Sequence, residues 1–230
     1  MPAADRIRRP LRVDAERNRR RIVEAAQSAF ADHGLDVPLE DVADRAGVGI
    51  ATLYRRFPTR DDLIAACFER RLEEYALAAE EALGAPDGWS GFTAYVERIC
   101  SMQAADRGLK DVLTQTFPTA RVLEAHRARG YELSLRIIRR AQADGTLRTD
   151  FVPEDLILLL MANAGVVQGA GRAAPAAWRR FVTMMLDGLR SERASPLPPP
   201  PTPRQLLRAM SRLARTGGRV QVDVATMGRD

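Results

Sequence analysis

Apolar positions recur at helical spacing along most of the chain, and their interruptions divide it into elements. Ile22, Ala25, Ala26, Ala29 and Phe30 form the first stripe, which predicts a helix over about residues 14–33 with Gly34 as its C-cap. Two short patterns follow. Val42, Ala43 and Ala46 mark a helix over about 39–46, and Leu53 and Phe57 mark another over about 50–57. Between them Gly47 stands where the chain must turn sharply, because Gly takes positive φ at little cost. A longer helix over about 59–83 opens at Thr59, with Asp62 three residues on as in a capping box. At 1.5 Å per residue it would span roughly 37 Å. Helical periodicity resumes through Phe92, Val96, Ile99 and Met102, then over about 109–116 and 119–144. Pro153 opens an almost wholly apolar helix to about Ala170, and Pro175 opens another carrying Trp178, Phe181 and Met185. The expected fold class is all-α.

Two short helices around a tight turn, the second ending in Tyr54, Arg55 and Arg56, form the pattern of a helix-turn-helix. Ala46-Gly-Val, then Thr52-Leu-Tyr and Phe57, followed by Pro58-Thr59-Arg60, resemble the TetR family of bacterial regulators over about residues 15–65. The resemblance implies a three-helix DNA-binding head, a helical C-terminal domain with a small-molecule pocket, and a dimer formed by the last two body helices. It also implies phosphate contacts by Thr52, Tyr54 and Arg60, with Gly49, Ile50 and Ala51 nearest the bases. Ile50 suits a thymine methyl and Arg55 a guanine edge. Arg56 is divided between DNA and solvent. One departure stands out: Gly49 and Ile50 replace the Ser and Lys often found in the family at the start of the recognition helix.

Charge adds a little. The net charge is +5, but residues 6–21 hold eight Arg against Asp14 and Glu16. Residues 1–13 therefore read as a basic N-terminal arm, residues 14–58 as the head, and 59–193 as the ligand-binding and dimerisation domain. An Arg bias with Lys110 as the single Lys reflects a GC-rich genome more than a built phosphate site. Residues 194–230 read as a Pro-rich spacer (SPLPPPPTP) and a basic amphipathic tail, whose stripe begins Leu206, Leu207, Met210. Such a helix binds nucleic acid or membrane, or folds back on the body; the last is the simpler reading.

The body offers candidates for an effector pocket on several helices: Phe68 and Leu72, then Phe92, Tyr95, Ile99 and Met102, then Phe117, Tyr131 and Leu135. For each of them plain core is the simpler reading. Asn163 and Gln168 are sharper, because a buried amide needs partners. Few ionisable groups lie on the inward stripes, so the expected effector is a small, mainly apolar molecule. Leu159, Val167, Trp178, Phe181 and Met185 are the expected dimer contacts.

Catalytic or metal-binding patterns are weak. His33 and His126 have no ligand spacing to Cys67 or Cys100, and both cysteines sit in apolar stripes as expected for buried thiols. The reading is a cytoplasmic, homodimeric repressor of a palindromic operator, released by the effector, without cofactor, metal or membrane partner. A TetR-type activator or a ligand-independent regulator fits the same residues. A helical carrier or enzyme without DNA binding is the rival from another class.

Overall fold

The computed structural model describes residues 3–114, 117, 120–171 and 173–216. Its described residues form ten α-helices and no strand, apart from an isolated bridge between Leu147 and Arg190. The head comprises α1 (Ala3–His33), α2 (Leu39–Ala46) and α3 (Ile50–Arg56). Ile22, Ala26, Ala29 and Phe30 are wholly buried, as the stripe requires. Gly47 takes φ +61° and its N–H reaches the Asp44 carbonyl at 3.0 Å, which closes α2 and redirects the chain into α3. The first helix begins at Ala3 rather than at Asp14, so the stretch expected as a separate arm is helical from Ala3 onward. Arg, Leu and Ala are strong helix formers, and Pro10 does not outweigh them.

The body comprises α4 (Arg60–Leu83), α5 (Gly88–Ala105), α6 (Arg107–Thr114), α7 (Arg121–Ala143), α8 (Pro153–Ala170) and α9 (Ala177–Gly188). Thr59 caps α4: the Asp62 N–H donates to Thr59 Oγ1 at 3.1 Å, and the Thr59 N–H donates to Asp62 Oδ2 at 3.0 Å. Pro153 occupies the first turn of α8. Pro175 lies in the turn ahead of α9, which starts at Ala177. A final helix, α10 (Pro203–Thr216), follows the Pro-rich spacer and folds back so that Leu206 and Met210 are buried. Residues 217–230 of the expected tail lie outside the described residues.

Two apolar cores form, and their boundary is not at residue 58. One joins α1–α3 to Leu63, Ile64, Phe68 and Leu72 of α4 and to Leu109 and Val112 of α6. The other joins Ala76, Ala79 and Ala82 of α4 to α5, α7, α8 and α9. Helix α4 thus contributes to both, and α6 belongs to the head core while packing beside the body.

Candidate nucleic-acid interface and body cavity

On α3, Leu53 is turned wholly inward and Phe57, the residue after the helix, is buried beside it; Ile50 leans on the same core. Arg19 of α1 lies 5.6 Å from the Phe57 ring centroid, a cation–π contact that holds the end of α3 against α1. Gly49, Ala51, Tyr54, Arg55 and Arg56 are exposed, and Thr52 is half-buried. The outward face therefore offers one phenol hydroxyl, one partly accessible alcohol, two guanidinium groups and small apolar surface. Hydroxyls and guanidinium groups contact phosphates and fix register; Arg and apolar groups read base edges.

Arg60 departs from its expected role. Its Nη1 donates to the Leu35 carbonyl at 2.7 Å and to the Val37 carbonyl at 2.8 Å. A guanidinium at the start of α4 lies beside the α1–α2 loop, whose carbonyls need donors, so this nitrogen braces the head instead of reaching outward.

Gly49 is the N-cap of α3 at φ −69° and ψ 146°, with no side-chain cap. A Cβ there would meet nothing within 4 Å. Gly49→Ser is therefore expected to stabilise the protein by a few tenths of a kcal/mol, since Ser caps slightly better than Gly. Thermal melting checks this; a lower melting temperature would mean that the site is more crowded than its geometry indicates.

A half-open cavity of about 360 Å³ lies among α4, α6, α7, α8 and α10. Leu72 and Tyr75 line it from α4, Val112 and Leu113 from α6, Tyr131 from α7 and Leu160 from α8. Of the pocket residues expected from sequence, Leu72 and Tyr131 are there. Phe68 instead stacks on Phe30 in the head core, with centroids 6.2 Å apart. Met102 and Phe117 pack in that same core. Phe92, Tyr95 and Ile99 face inward from α5 into the second core, and Leu135 is half-buried away from the cavity. Tyr95 contributes from behind: its hydroxyl donates to the Tyr75 hydroxyl at 2.8 Å. Burial pushes both phenols above their ordinary value, so each stays protonated.

Asn163 pairs α8 with α5. Its Nδ2 donates to Gln103 Oε1 at 2.8 Å and to the Cys100 carbonyl at 3.4 Å, away from the residues that line the cavity, while Asn163 Oδ1 and Gln103 Nε2 have no partner among the described residues. Gln168 is exposed. Arg127 is the cation at the cavity wall; its Nη2 donates to the Val112 carbonyl at 2.9 Å, and burial pulls its pKa below the ordinary value. Sequence reading missed Arg127 and Leu113, because a cavity wall made by several helices has no local signature. Cys67 and Cys100 are buried and burial pushes both thiols up to about 12, which leaves no thiolate for redox sensing.

Across α8 and α9 an apolar surface remains uncovered. Leu158, Met184 and Met185 are 41%, 52% and 40% exposed, and Ala162, Gly165 and Gly169 lie exposed with them. Val167, Trp178 and Phe181 are half-buried, the last two leaning on their own core. Leu159, expected at the interface, is buried within the chain, since one residue along a helix is a rotation of about 100°. Among the described residues no helix is long and apolar enough to cross a membrane.

Comparison with known proteins agrees with this architecture. Residues 22–67 match the family of bacterial regulatory proteins of the tetR type, and residues 87–191 match the C-terminal domain of SbtR-like transcriptional regulators. The HTH-type transcriptional repressor SCO4008 of Streptomyces coelicolor is 27% identical over 157 residues, 66% of this chain and 78% of that protein. A TetR transcription regulatory protein from Mycobacterium vanbaalenii is 31% identical, covering 79% of this chain and 99% of its own, with a TM-score of 0.47. The regulator FadR from Bacillus subtilis, solved with stearoyl-CoA, is 15% identical and covers 72% of this chain and 96% of its own, with a TM-score of 0.56; it shares the fold. These relatives are transcriptional regulators, not enzymes. Two family matches in tandem, over residues 22–67 and 87–191 and so over more than half of the chain, establish that it belongs to the TetR family of DNA-binding transcriptional regulators.

Proposed function

We propose that the protein is a cytoplasmic homodimeric repressor that binds a palindromic operator and leaves it when a small, mainly apolar molecule fills the body cavity. The observation that carries the reading is the double role of α6. Val112 and Leu113 line the cavity, while Leu109 lies in the head core and the Asp111 carboxylate accepts the Leu35 N–H at 3.0 Å. A ligand that reshapes the cavity therefore displaces an element that also holds the loop between α1 and α2. Helix α4 gives a second lever, since Leu72 and Tyr75 line the cavity and the helix begins just after α3.

In a dimer the two recognition helices must match half-sites set by the DNA repeat. A small rotation of each head changes their separation, and the ligand acts only through its different affinities for the two arrangements. Apolar lining by Leu72, Leu113, Leu123 and Leu160 favours an apolar effector. Repression is the sign favoured by the Streptomyces relative, which is a repressor.

The test is to recover DNA fragments bound by the protein from the source genome and to measure transcription from the adjacent promoter with and without the protein. Repression predicts higher transcription in its absence. Lower transcription would make it an activator, and no enriched fragment would remove sequence-specific binding. On the recovered operator, Tyr54→Phe should weaken binding by about 1 kcal/mol through one lost phosphate hydrogen bond without altering sequence preference. Fluorescence anisotropy on operator and scrambled DNA measures both; a changed preference would move Tyr54 from the backbone to a base.

A further inference from the structure

The cavity has one wall outside the helical bundle. Leu206 and Met210 of α10 are each 4% exposed, yet neither is part of either core. With Pro203 and Leu207 they cover the cavity bounded by α6, α7 and α8. Arg204 and Arg208 lie on the exposed side of the same helix.

Three local features specify this placement. First, α10 has its own start signal: the Thr202 N–H donates to Gln205 Oε1 at 2.8 Å and the Gln205 N–H donates to Thr202 Oγ1 at 3.3 Å, with Pro203 in the first turn. Second, the strap before it, Ser195 to Thr202, holds five prolines. At ~3.1 Å per residue a polyproline strap of that length spans roughly 25 Å and loses little entropy on seating. Third, the root of the strap is clamped. Arg148, buried in the α7–α8 connection, donates from Nε to Asp150 Oδ1 at 2.6 Å and from Nη2 to Asp150 Oδ2 at 3.0 Å; the same Nη2 also donates to the Ser195 carbonyl. The Leu197 N–H donates to Asp150 Oδ2 at 3.3 Å. Hydrogen bonding to Arg148 holds the Asp150 carboxyl down at about 2, so the clamp is intact above the ordinary carboxylate range and is lost only as pH falls through that value.

We propose that α10 is a lid on the effector cavity, opening on the Ser195–Thr202 strap to admit a largely apolar small molecule and closing over it. The proposal rests on the reading of the cavity as the effector site. Helices α4 to α9 share extensive cores, whereas Leu206 and Met210, the buried side chains among the described ones of α10, belong to neither core, so α10 is the wall that moves most easily. The lid is a roof and not a plug, because a cavity of about 360 Å³ remains beneath it.

The full-length protein can be tested with N-phenyl-1-naphthylamine, a neutral apolar dye that fluoresces when shielded from water. Wild type should bind the dye, and binding should protect the amides of residues 204–210 from hydrogen exchange. The double variant Leu206→Asp/Met210→Asp places two carboxylates in the seat; it should lose that protection and release the dye at least tenfold faster, with a weaker Kd. Leu206→Ala should shift release in the same direction by less, and it serves where the charged variant folds poorly. Unchanged release from a variant whose residues 204–210 exchange freely would overturn the lid and leave the cavity reading intact. Tighter dye binding in the variant would also overturn it, making α10 a competitor. Dye uptake undiminished by the cavity-filling Leu160→Trp would overturn the cavity reading itself, and no uptake by wild type would remove both.

Discussion

Gly165→Arg is expected to give a well-folded monomer that has lost most of its operator affinity. Gly165 lies on the exposed face of α8, and a Cβ built there meets nothing within 4 Å. Within one chain the substitution is favourable, because Arg exceeds Gly in helix propensity by roughly 0.7 kcal/mol. In the proposed dimer it is the reverse. Leu158, Ala162, Gly165 and Gly169 form an apolar, small-residue stripe beside the exposed Met184 and Met185. Two such faces packed together would enclose the new guanidinium without a partner, an uncompensated burial costing about 3–5 kcal/mol. A head without its twin also loses the effective concentration that linkage supplies, a factor of about 10²–10⁴ in affinity. Sedimentation reads the oligomer, anisotropy reads operator binding, and melting reads the fold. A variant that sediments as a dimer and binds operator as wild type does would place the interface elsewhere. Phe181→Arg is a less clean probe, because Phe181 also leans on its own core.

Local chemistry was legible in the sequence where a single residue decides a conformation. Gly47 at φ +61°, Thr59 paired with Asp62, and Pro153 in the first turn of α8 each stand where the sequence placed them. The helix-turn-helix was legible for the same reason: α2 and α3 are short, and Val42, Ala43, Ala46 and Leu53 leave one way to bury them. The cavity was not. Phe92, Tyr95 and Ile99 share a helical stripe, and periodicity says only that the stripe faces inward. Whether an inward group meets another side chain or a void depends on how α4, α6, α7 and α8 cross, which no one helix encodes. Arg60 shows a related limit. Its spacing places it at the start of α4, but only the folded α1–α2 loop decides that Nη1 meets the carbonyls of Leu35 and Val37. The seat of α10 was half legible: its stripe and cap were readable, whereas the Arg148–Asp150 clamp reaches Ser195 and Leu197 across 47 residues of chain.

Gly108→Val should break the link between cavity and head, with a cost in stability as well. Gly108 is where α6 rests on the head: a Cβ there would lie 2.6 Å from Phe68 Cζ and 3.0 Å from both Cβ and the carbonyl oxygen of Phe30. Phe30 and Phe68 are themselves buried and stacked on each other, and the carbonyl is backbone, so neither yields easily. Overpacking of this kind costs about 1–3 kcal/mol, which for a chain of this size lowers the melting temperature by about 2–4 °C per kcal/mol. The cheapest relief is for α6 to lift from α1. That movement stretches the bond from the Leu35 N–H to Asp111 and withdraws Leu109 from the head core, while Val112 and Leu113 carry the shift into the cavity wall. The head is then no longer braced by the helix that lines the cavity, the coupling element of the proposed mechanism. Operator affinity without effector should fall, and the remaining binding should respond less to effector than in wild type. Melting and operator titrations with and without the effector read these effects separately. A variant that melts and responds as wild type does would mean that α6 is not the rigid connection, and that α4 alone carries the signal from Leu72 and Tyr75 to the head.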